Sequence, residues 1–237
     1  MNYYKFFGGL ALTLTFLVIP TISPVTYAAD EVEEVVAVGT RREARSVGDS
    51  PAPIDVITGS DFVNQGAVDL PDMIRTLVPS FNVNTQPISD AATLIRPANL
   101  RGLPPDNMLV LINGKRRHRG AVISFLGSGI SDGAQGPDIS AIPSIALKQV
   151  EVLRDGAAAQ YGSDAIAGIM NFVLNDNSEG TTVEIRSGEY TEGDGEAWRI
   201  AANVGMPFTQ SGFANISMEL QESDPTSRSV QRADAQG

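Results

Sequence analysis

Three segments in the last quarter of the chain alternate between apolar and polar residues, and this period constrains the fold more than any other feature. They cover residues 183–186, 197–204 and 213–220. A period of two predicts strands that have one apolar and one polar face. Each strand would be about nine or ten residues long, enough for a tilted strand to cross an outer membrane. A soluble antiparallel sheet shows the same alternation, so the pattern alone leaves both interpretations open.

The charge and the composition exclude several classes of protein. The 237 residues include 17 basic and 28 acidic side chains, and the net charge of -11 disfavours a nucleic-acid partner, which requires a basic surface. Cysteine is absent and His118 is the single histidine, so cysteine-ligated clusters and multi-histidine metal sites are excluded. The glycines in residues 127–133 lack the spacing of a dinucleotide-binding loop. We therefore expect no enzyme, no cofactor and no resident metal.

The first residues have the pattern of an export signal. Lys5 is the only charged residue in residues 1–28, an apolar stretch covers residues 6–19, and Pro20 ends it. A positive charge, a short apolar stretch and a small residue at the exit predict a secretory signal that is cleaved after Ala28. A permanent anchor is the alternative, but a spanning helix needs about 20 apolar residues.

Residues 29–50 predict a flexible leader, because they are rich in acids and poor in residues that build a core. Within this leader, Val35, Val36 and Val38 favour an extended strand. A strand without a sheet of its own is either disordered or pairs with the edge of a partner's sheet. The residues alone leave these two alternatives open.

Residues 51–178 predict a small α+β domain with a mixed sheet and short helices. Its strands are predicted from apolar or alternating runs at residues 54–57, 108–112, 147–154 and 169–174.

The turns and caps of this domain follow from single residues. Thr58 and Asp69 have the side chains of helix N-caps, and the pair Asn113 and Gly114 predicts a hairpin turn. Asp138 predicts a further short helix that ends near Pro143. A helical turn is expected at residues 157–161, and no strand is expected in residues 221–237.

Two motifs in the second half of this domain carry a family resemblance. Residues 150–156 read VEVLRDG, and residues 161–168 read YGSDAIAG. The pair resembles the end of the plug domain of TonB-dependent outer-membrane receptors, which reads VEVLRG and then YGSDAIGG. Asp155 is absent from the commonest form of that motif. Residues 100–102 (LRG) and 110–114 (VLING) resemble two further plug motifs in the same order.

The resemblance implies a plug domain at residues 51–178, followed at residues 179–237 by the first strands of a transmembrane antiparallel β-barrel. Barrels of this family have about 22 strands, so three strands would be incomplete and the chain is expected to be truncated. Glu151 and Arg154 are expected to supply a buried, charge-assisted pair, either within the plug or against the barrel wall. The residues that match the plug motifs, and for which we expect an architectural role, are Arg101, Gly102, Asn113, Gly114, Glu151, Arg154, Gly156, Tyr161, Gly162 and Gly168.

The resemblance also implies a function. The segment Glu33, Glu34, Val35, Val36, Ala37 and Val38 resembles the TonB box, which would bind TonB by adding a strand to its sheet. The implied protein is an importer in the outer membrane of a Gram-negative bacterium, with the plug facing the periplasm. Its partners would be TonB, membrane lipid and a scarce ligand, with a siderophore-type ferric chelate expected first. The alternative is a secreted plug-like module without a barrel, which would bind TonB or a ligand without transport.

The densest charge cluster is the basic segment, which we define as residues 115–119. Arg116, Arg117, His118 and Arg119 could face an anionic ligand such as a ferric chelate. The alternative is a cationic face that pairs with acids lining the lumen of the barrel.

Overall fold

The computed structural model describes residues 35–36, 45–46, 53–65, 67, 69–83, 95–124, 129–209 and 212–226, all of which belong to the unit Glu33–Gly237. The signal predicted for residues 1–28 lies outside the described residues.

Twelve strands and three α-helices occur in the described residues. The strands are β1 (Val35–Val36), β2 (Arg45–Ser46), β3 (Ile54–Thr58), β4 (Phe81–Val83), β5 (Ala98–Leu100), β6 (Met108–Ile112), β7 (Lys115–Arg116), β8 (Leu147–Leu153), β9 (Gly168–Leu174), β10 (Thr181–Gly188), β11 (Ala197–Pro207) and β12 (Phe213–Ser223). The helices are α1 (Gly59–Val63), α2 (Leu70–Leu77) and α3 (Ala158–Tyr161), and short 3-10 turns occur at Pro105–Asn107, Gly129–Ser131, Ser144–Ala146 and Ser163–Ala165.

The central sheet has the strand order β3-β8-β9-β6-β7 among the described residues. Only β6 and β9 pair in parallel, and the other pairs are antiparallel. We call the part of the chain from β3 to β9 the core domain. Its mixed sheet and short helices confirm the predicted α+β class.

Apolar residues cover both faces of the central sheet. Val110, Val150 and Met170 point into the larger of two buried clusters, which also contains the apolar side of α2. Leu109 and Ile169 point to the opposite face, where a smaller cluster packs near α3. Because β6 is buried on both sides, it reads as a continuous apolar run rather than an alternating one.

The predicted helix caps are confirmed. Thr58 and Asp61 form a reciprocal capping box at the start of α1. Asp69 accepts a hydrogen bond from the backbone N–H of Asp72 at 3.0 Å at the start of α2.

Two predictions of secondary structure were wrong. The helix expected between Asp138 and Pro143 does not form, because Asp138 instead accepts from the N–H and the hydroxyl of Ser140 in a local turn. The strand β12 continues to Ser223, beyond the point where no further strand was expected.

The strands β10, β11 and β12 form an open antiparallel sheet among the described residues, which we call the C-terminal sheet. Its three strands confirm the predicted alternation. On one face, Ile185, Met218 and Leu220 are 73%, 66% and 62% exposed. On the other face, Arg199 and Asn203 are buried. No helix within the described ranges is long and apolar enough to cross a membrane.

Candidate functional site

The polar face of the C-terminal sheet lies against the core domain. Arg186 on β10 contacts the end of α1, which comes directly after the edge strand β3. Its guanidinium donates to the carbonyl oxygens of Gln65 at 2.8 Å and Phe62 at 3.1 Å. The carbonyl of Phe62 also accepts from the N–H of Gln65 at 3.1 Å, and carbonyl groups at a helix C-terminus carry partial negative charge. Arg186 therefore binds backbone rather than a particular side chain of the core domain.

Arg199 on β11 makes the second contact, to the turn Ser144–Ala146. The Arg199 side chain is 1% exposed, its Nε pairs with Glu219 at 3.0 Å, and its Nη2 donates to the hydroxyl of Ser144. Glu219 in turn accepts from the backbone N–H of Ser144 at 3.2 Å. Ser144 is thus held as a donor and as an acceptor by two neighbouring strands of the C-terminal sheet.

The two arginines stand directly opposite each other in the β10–β11 register. Like charges in that position repel. Glu184 lies between the two arginines, where it pairs with Arg186 and is 3.2 Å from Arg199. Glu219 is the second carboxylate that pairs with Arg199. Two carboxylates thus balance the charges of two guanidinium groups at a largely buried surface. Charged groups that are removed from water require such partners.

An uncharged network continues along the same face. Asn203 donates to Asn215 at 2.6 Å and to Ser217 at 2.8 Å, and Asn215 donates to Asn177 at 2.7 Å. Asn177 belongs to the connection between the two parts of the chain. A Cβ at Gly205 would overlap the backbone oxygen of Asn177, so glycine lets this connection cross the strand closely.

A buried polar network lies within the core domain, at residues that match the sequence motifs. Asn171 accepts from the N–H of Gly114 at 2.9 Å and donates to Glu151 at 3.0 Å. Glu151 also accepts from Gln149 at 2.9 Å. Asn113 accepts from the N–H of Leu174 at 2.9 Å. These bonds fix the hairpin turn, and with it the start of the basic segment, to β9.

The expected buried pair of Glu151 and Arg154 does not form. Arg154 pairs with Asp55 at 2.7 Å, and both side chains are more than a third exposed. The two motif residues are three positions apart, and side chains of a strand alternate between its faces. Glu151 therefore points into the domain, and Arg154 lies at the surface.

The other motif residues occupy turns and close contacts. Arg101 and Gly102 form a turn after β5 with φ of 56° and 70°. Tyr161 and Gly162 end α3, and the carbonyl of Tyr161 accepts from Arg116. Gly156 follows β8, and Gly168 begins β9 with a φ of 139°.

The basic segment is tied to the core domain by two of its arginines. Arg116 pairs with Asp164, and Arg119 lies 3.3 Å from Asp106. Both acids belong to the core domain itself. Arg117 and His118 make no side-chain hydrogen bond or ion pair with a described residue.

A cleft of about 1210 Å³ separates α2 from one end of the C-terminal sheet. Asp69, Arg75 and Arg96 line its core-domain side, and Tyr190 and Glu222 line the other. Arg96 pairs with Asp69, and burial lowers the pKa of Arg96 while the negative charge of Asp138 partly offsets this. The described residues contain no group of acids and histidine arranged to hold a metal ion.

The proposed TonB-binding strand is described only at its centre. Val35 and Val36 form β1, which pairs with Ser46 and Arg45 of β2. Glu33, Glu34, Ala37 and Val38 lie outside the described residues.

Comparison with known families decides what this arrangement belongs to. Residues 46–169, more than half of the chain, match the model of the TonB-dependent receptor plug domain. The chain belongs to the TonB-dependent receptor family. The core domain is its plug, and it contains the motif residues described above.

Two curated relatives show how much of such a receptor is present. The chain is 27% identical over 216 residues to the vitamin B12 transporter BtuB of Photobacterium profundum, which is 91% of this chain and 32% of that protein. It is 28% identical over 162 residues to the ferric enterobactin receptor PirA of Pseudomonas aeruginosa, which is 67% of this chain and 21% of that protein. The chain thus spans less than a third of the length of either relative.

Solved structures show the same fold. The siderophore receptor PirA from Acinetobacter baumannii superposes with a TM-score of 0.57 at 25% identity, covering 75% of this chain and 25% of that chain. The ferric enterobactin receptor PfeA gives a TM-score of 0.57 at 23% identity, covering 74% and 25%. The latter likeness supports the fold alone.

Sequence reasoning missed the contacts between the plug and the C-terminal sheet. Arg186, Arg199 and Glu219 were visible as charged positions on the polar side of alternating strands. The signal that would have singled them out is charge on a face that otherwise carries small or amide side chains. Ser144 gave no signal, because its backbone N–H and hydroxyl act only in the folded turn.

Proposed function

We propose that the chain forms the plug and the first wall strands of a gated importer in the outer membrane of a Gram-negative bacterium. The observation that carries this proposal is the reversed polarity of the C-terminal sheet. Its large apolar side chains are exposed, whereas on the face toward the plug Arg199 is buried and Glu184, Arg186 and Glu219 are partly buried. This is the arrangement of a barrel wall between lipid and a polar lumen.

The dimensions of the apolar face support the same assignment. Trp198 and Met206 are eight residues apart on β11 and delimit its exposed apolar positions. At about 3.4 Å per residue they span about 27 Å, or about 21 Å along the membrane normal at a tilt of about 40°. Outer-membrane barrels have an apolar band about 25 Å tall. Residues 179–237 are accordingly proposed as wall strands and residues 51–178 as the plug.

The leader is proposed to connect this gate to its energy source. An extended segment at residues 33–38 would bind TonB by adding a strand to the edge of its sheet, which requires main-chain hydrogen bonds and tolerates many side chains. The β-strand at Val35 and Val36 supports this, because it is already extended. Cleavage after Ala28 would place the leader in the periplasm.

The ligand is proposed to be a large, scarce nutrient, and two classes are supported. A ferric siderophore is supported by the relatives named as enterobactin receptors, and a corrinoid by the relatives named as vitamin B12 transporters, whose match covers more of this chain. Arg117 and His118 remain candidates for ligand contact. Arg116 and Arg119 are proposed to be architectural, because plug acids already pair with them.

The alternative of a secreted plug-like module is not favoured. A water-soluble form would expose the apolar residues of three adjacent strands as one surface, and contiguous surfaces of that kind mark contact with lipid or protein.

To test the proposal, the receptor would be expressed from its native reading frame and its uptake of ligand measured. The host would be a Gram-negative strain without its own cobalamin and enterobactin receptors, with and without TonB. We expect TonB-dependent uptake of either labelled cobalamin or labelled ferric enterobactin, and loss of uptake with Val36→Pro. Recovery of the protein in the soluble periplasmic fraction, or uptake that is independent of TonB, would contradict the proposal.

A further inference from the structure

The strand that we propose for TonB binding already has a partner within the leader. Val35 and Val36 of β1 pair antiparallel with Ser46 and Arg45 of β2. The two strands form a separate sheet, and neither of them pairs with a strand of the plug or of the C-terminal sheet within the described ranges. The leader therefore contains two paired strands, β1 and β2, which we call the leader strand pair.

The two residues of β1 direct their backbone groups to opposite edges of the strand. In an antiparallel pair, a residue either exchanges both main-chain hydrogen bonds with its partner or directs its N–H and C=O away from it. These two arrangements alternate along a strand, so one of Val35 and Val36 bonds to β2 and the other faces the outer edge of β1. Pairing with β2 and addition to another sheet therefore use different backbone groups.

The outer edge of β1 favours the addition of a further strand. A two-stranded sheet is marginally stable in water, and independent stability generally requires at least a third strand. An open edge presents unpaired N–H and C=O groups, which form a template for another chain. In the described part of the chain, no further strand occupies that edge. The leader strand pair is thus suited to be completed by the sheet of a partner through main-chain hydrogen bonds.

The position of the leader strand pair along the chain leaves it accessible to a partner. β2 ends at Ser46, and β3, the first strand of the plug, begins at Ile54. The seven residues 47–53 between them extend by at most about 25 Å. The leader strand pair can therefore reach away from the plug by about that distance while its two strands stay together.

We propose that the leader binds TonB as a two-stranded unit. β1 adds its outer edge to the sheet of TonB, and β2 stays paired on the far side, so that Arg45 and Ser46 belong to the docking site together with Val35 and Val36. This inference rests on the proposed docking of residues 33–38 and adds a second segment to it. β2 strengthens binding, because it holds β1 extended before TonB arrives.

Calorimetry with the periplasmic domain of TonB tests the proposal on the receptor expressed from its native reading frame and purified in detergent. Arg45→Pro with Ser46→Pro removes both main-chain donors of β2, including the one that faces β1. The matched control, Arg45→Ala with Ser46→Ala, loses the same side chains and keeps both donors. We expect the proline variant to bind at least about fivefold more weakly than the control, because β1 is then ordered only on binding. Equal affinity, or tighter binding by the proline variant, would overturn the proposal.

A covalent lock distinguishes a strand that supports docking from one that blocks it. Val35 and Ser46 are opposite each other in the register, and the chain has no cysteine of its own, so Val35→Cys with Ser46→Cys allows a single disulfide across the pair. The Cα atoms of opposed residues in antiparallel strands are about 4.5–5.5 Å apart, which a disulfide spans. We expect the oxidised form to bind TonB at least as tightly as the reduced form. Loss of binding on oxidation that a reductant restores would show that β2 has to leave, and would overturn the proposal.

The same titrations separate this proposal from the proposed docking of residues 33–38. If the unmodified receptor binds TonB and Val36→Pro weakens binding, strand addition stands, and the two β2 variants then decide whether β2 belongs to the docking site. If the unmodified receptor does not bind TonB, both proposals are wrong.

Discussion

Replacing Gly168 with alanine is expected to be among the most damaging single changes in the plug. Gly168 begins β9 with a φ of 139°, a conformation that residues with a side chain rarely adopt. A Cβ there would overlap the carbonyl oxygen of Leu153 and stand 2.8 Å from Leu100 Cδ2. The glycine also pairs in register with Met108 of β6, so β9 is fixed on both sides and cannot move away.

The expected cost follows from two separate terms. The unfavourable backbone conformation costs about 1–3 kcal/mol, and forcing an atom into a packed site costs about another 1–3 kcal/mol. We expect a loss of about 4 kcal/mol, a large part of the roughly 5–15 kcal/mol that stabilises a domain. For a domain of this size that corresponds to a fall in Tm of about 12–20 °C.

Two further glycines separate these terms. Gly114 has a φ of 74° and no atom within 4 Å of its Cβ position, so Gly114→Ala should cost only about 1–2 kcal/mol. Gly188→Ala, in open space and without a positive φ, should be close to neutral. Hydrogen exchange in a urea series measures all three, on the β9 amides for Gly168 and Gly114 and on the β10 amides for Gly188. If Gly168→Ala is no more destabilising than Gly114→Ala, the steric argument is wrong.

Three other predictions follow from the leader, the sheet and the plug. Val36→Pro should weaken binding to the periplasmic domain of TonB at least about tenfold in calorimetry, because it removes a main-chain donor. The control Val36→Ala should bind normally. Equal affinities of the two variants would exclude strand addition. Ile185→Arg should make the free energy of partitioning into lipid vesicles less favourable by about 2–4 kcal/mol. The same change at Ile130, which is exposed on the plug, should have no effect. Equal effects at both positions would contradict a lipid-facing sheet. Asn171→Leu should lower the free energy of unfolding by about 2–3 kcal/mol, because Glu151 loses a buried amide donor; an unchanged urea midpoint would show that this network does not stabilise the plug.

Signals that act over three or four residues predicted the structure well. Thr58 and Asp69 cap their helices as expected, because a cap needs only its own side chain and the next turn of backbone. The turn at Asn113 and Gly114 was also predictable from neighbouring residues alone, since both residues tolerate a positive φ.

Predictions failed where a second local structure competed, or where the partner was distant in sequence. Asp138 has the chemistry of a cap, but Ser140 offers both an N–H and a hydroxyl two residues later, and a turn forms instead of a helix. Arg154 pairs with Asp55 on the neighbouring strand β3. This partner follows from the register of β3 and β8, which only the structure shows.

The site was predictable in its faces but not in its contacts. Alternation along β10 and β11 places Arg186 and Arg199 on the polar side. Their opposition across the two strands, and the position of Glu184 between them, depends on the register that the hairpin adopts. Cross-strand pairs are set by that register, which one sequence does not display.

The plug and the C-terminal sheet have opposite patterns of burial. The plug buries its apolar residues, as Phe172 and Met170 show, whereas the C-terminal sheet buries Arg199 and exposes Ile200 beside it. An apolar interface between the two parts would have required the sheet to be apolar on both faces, and the plug would then be held as firmly as its own core. A polar inner face avoids this, because water competes for every one of its bonds. Reversed polarity is therefore the pattern expected of the wall between lipid and a polar lumen that we propose for this sheet.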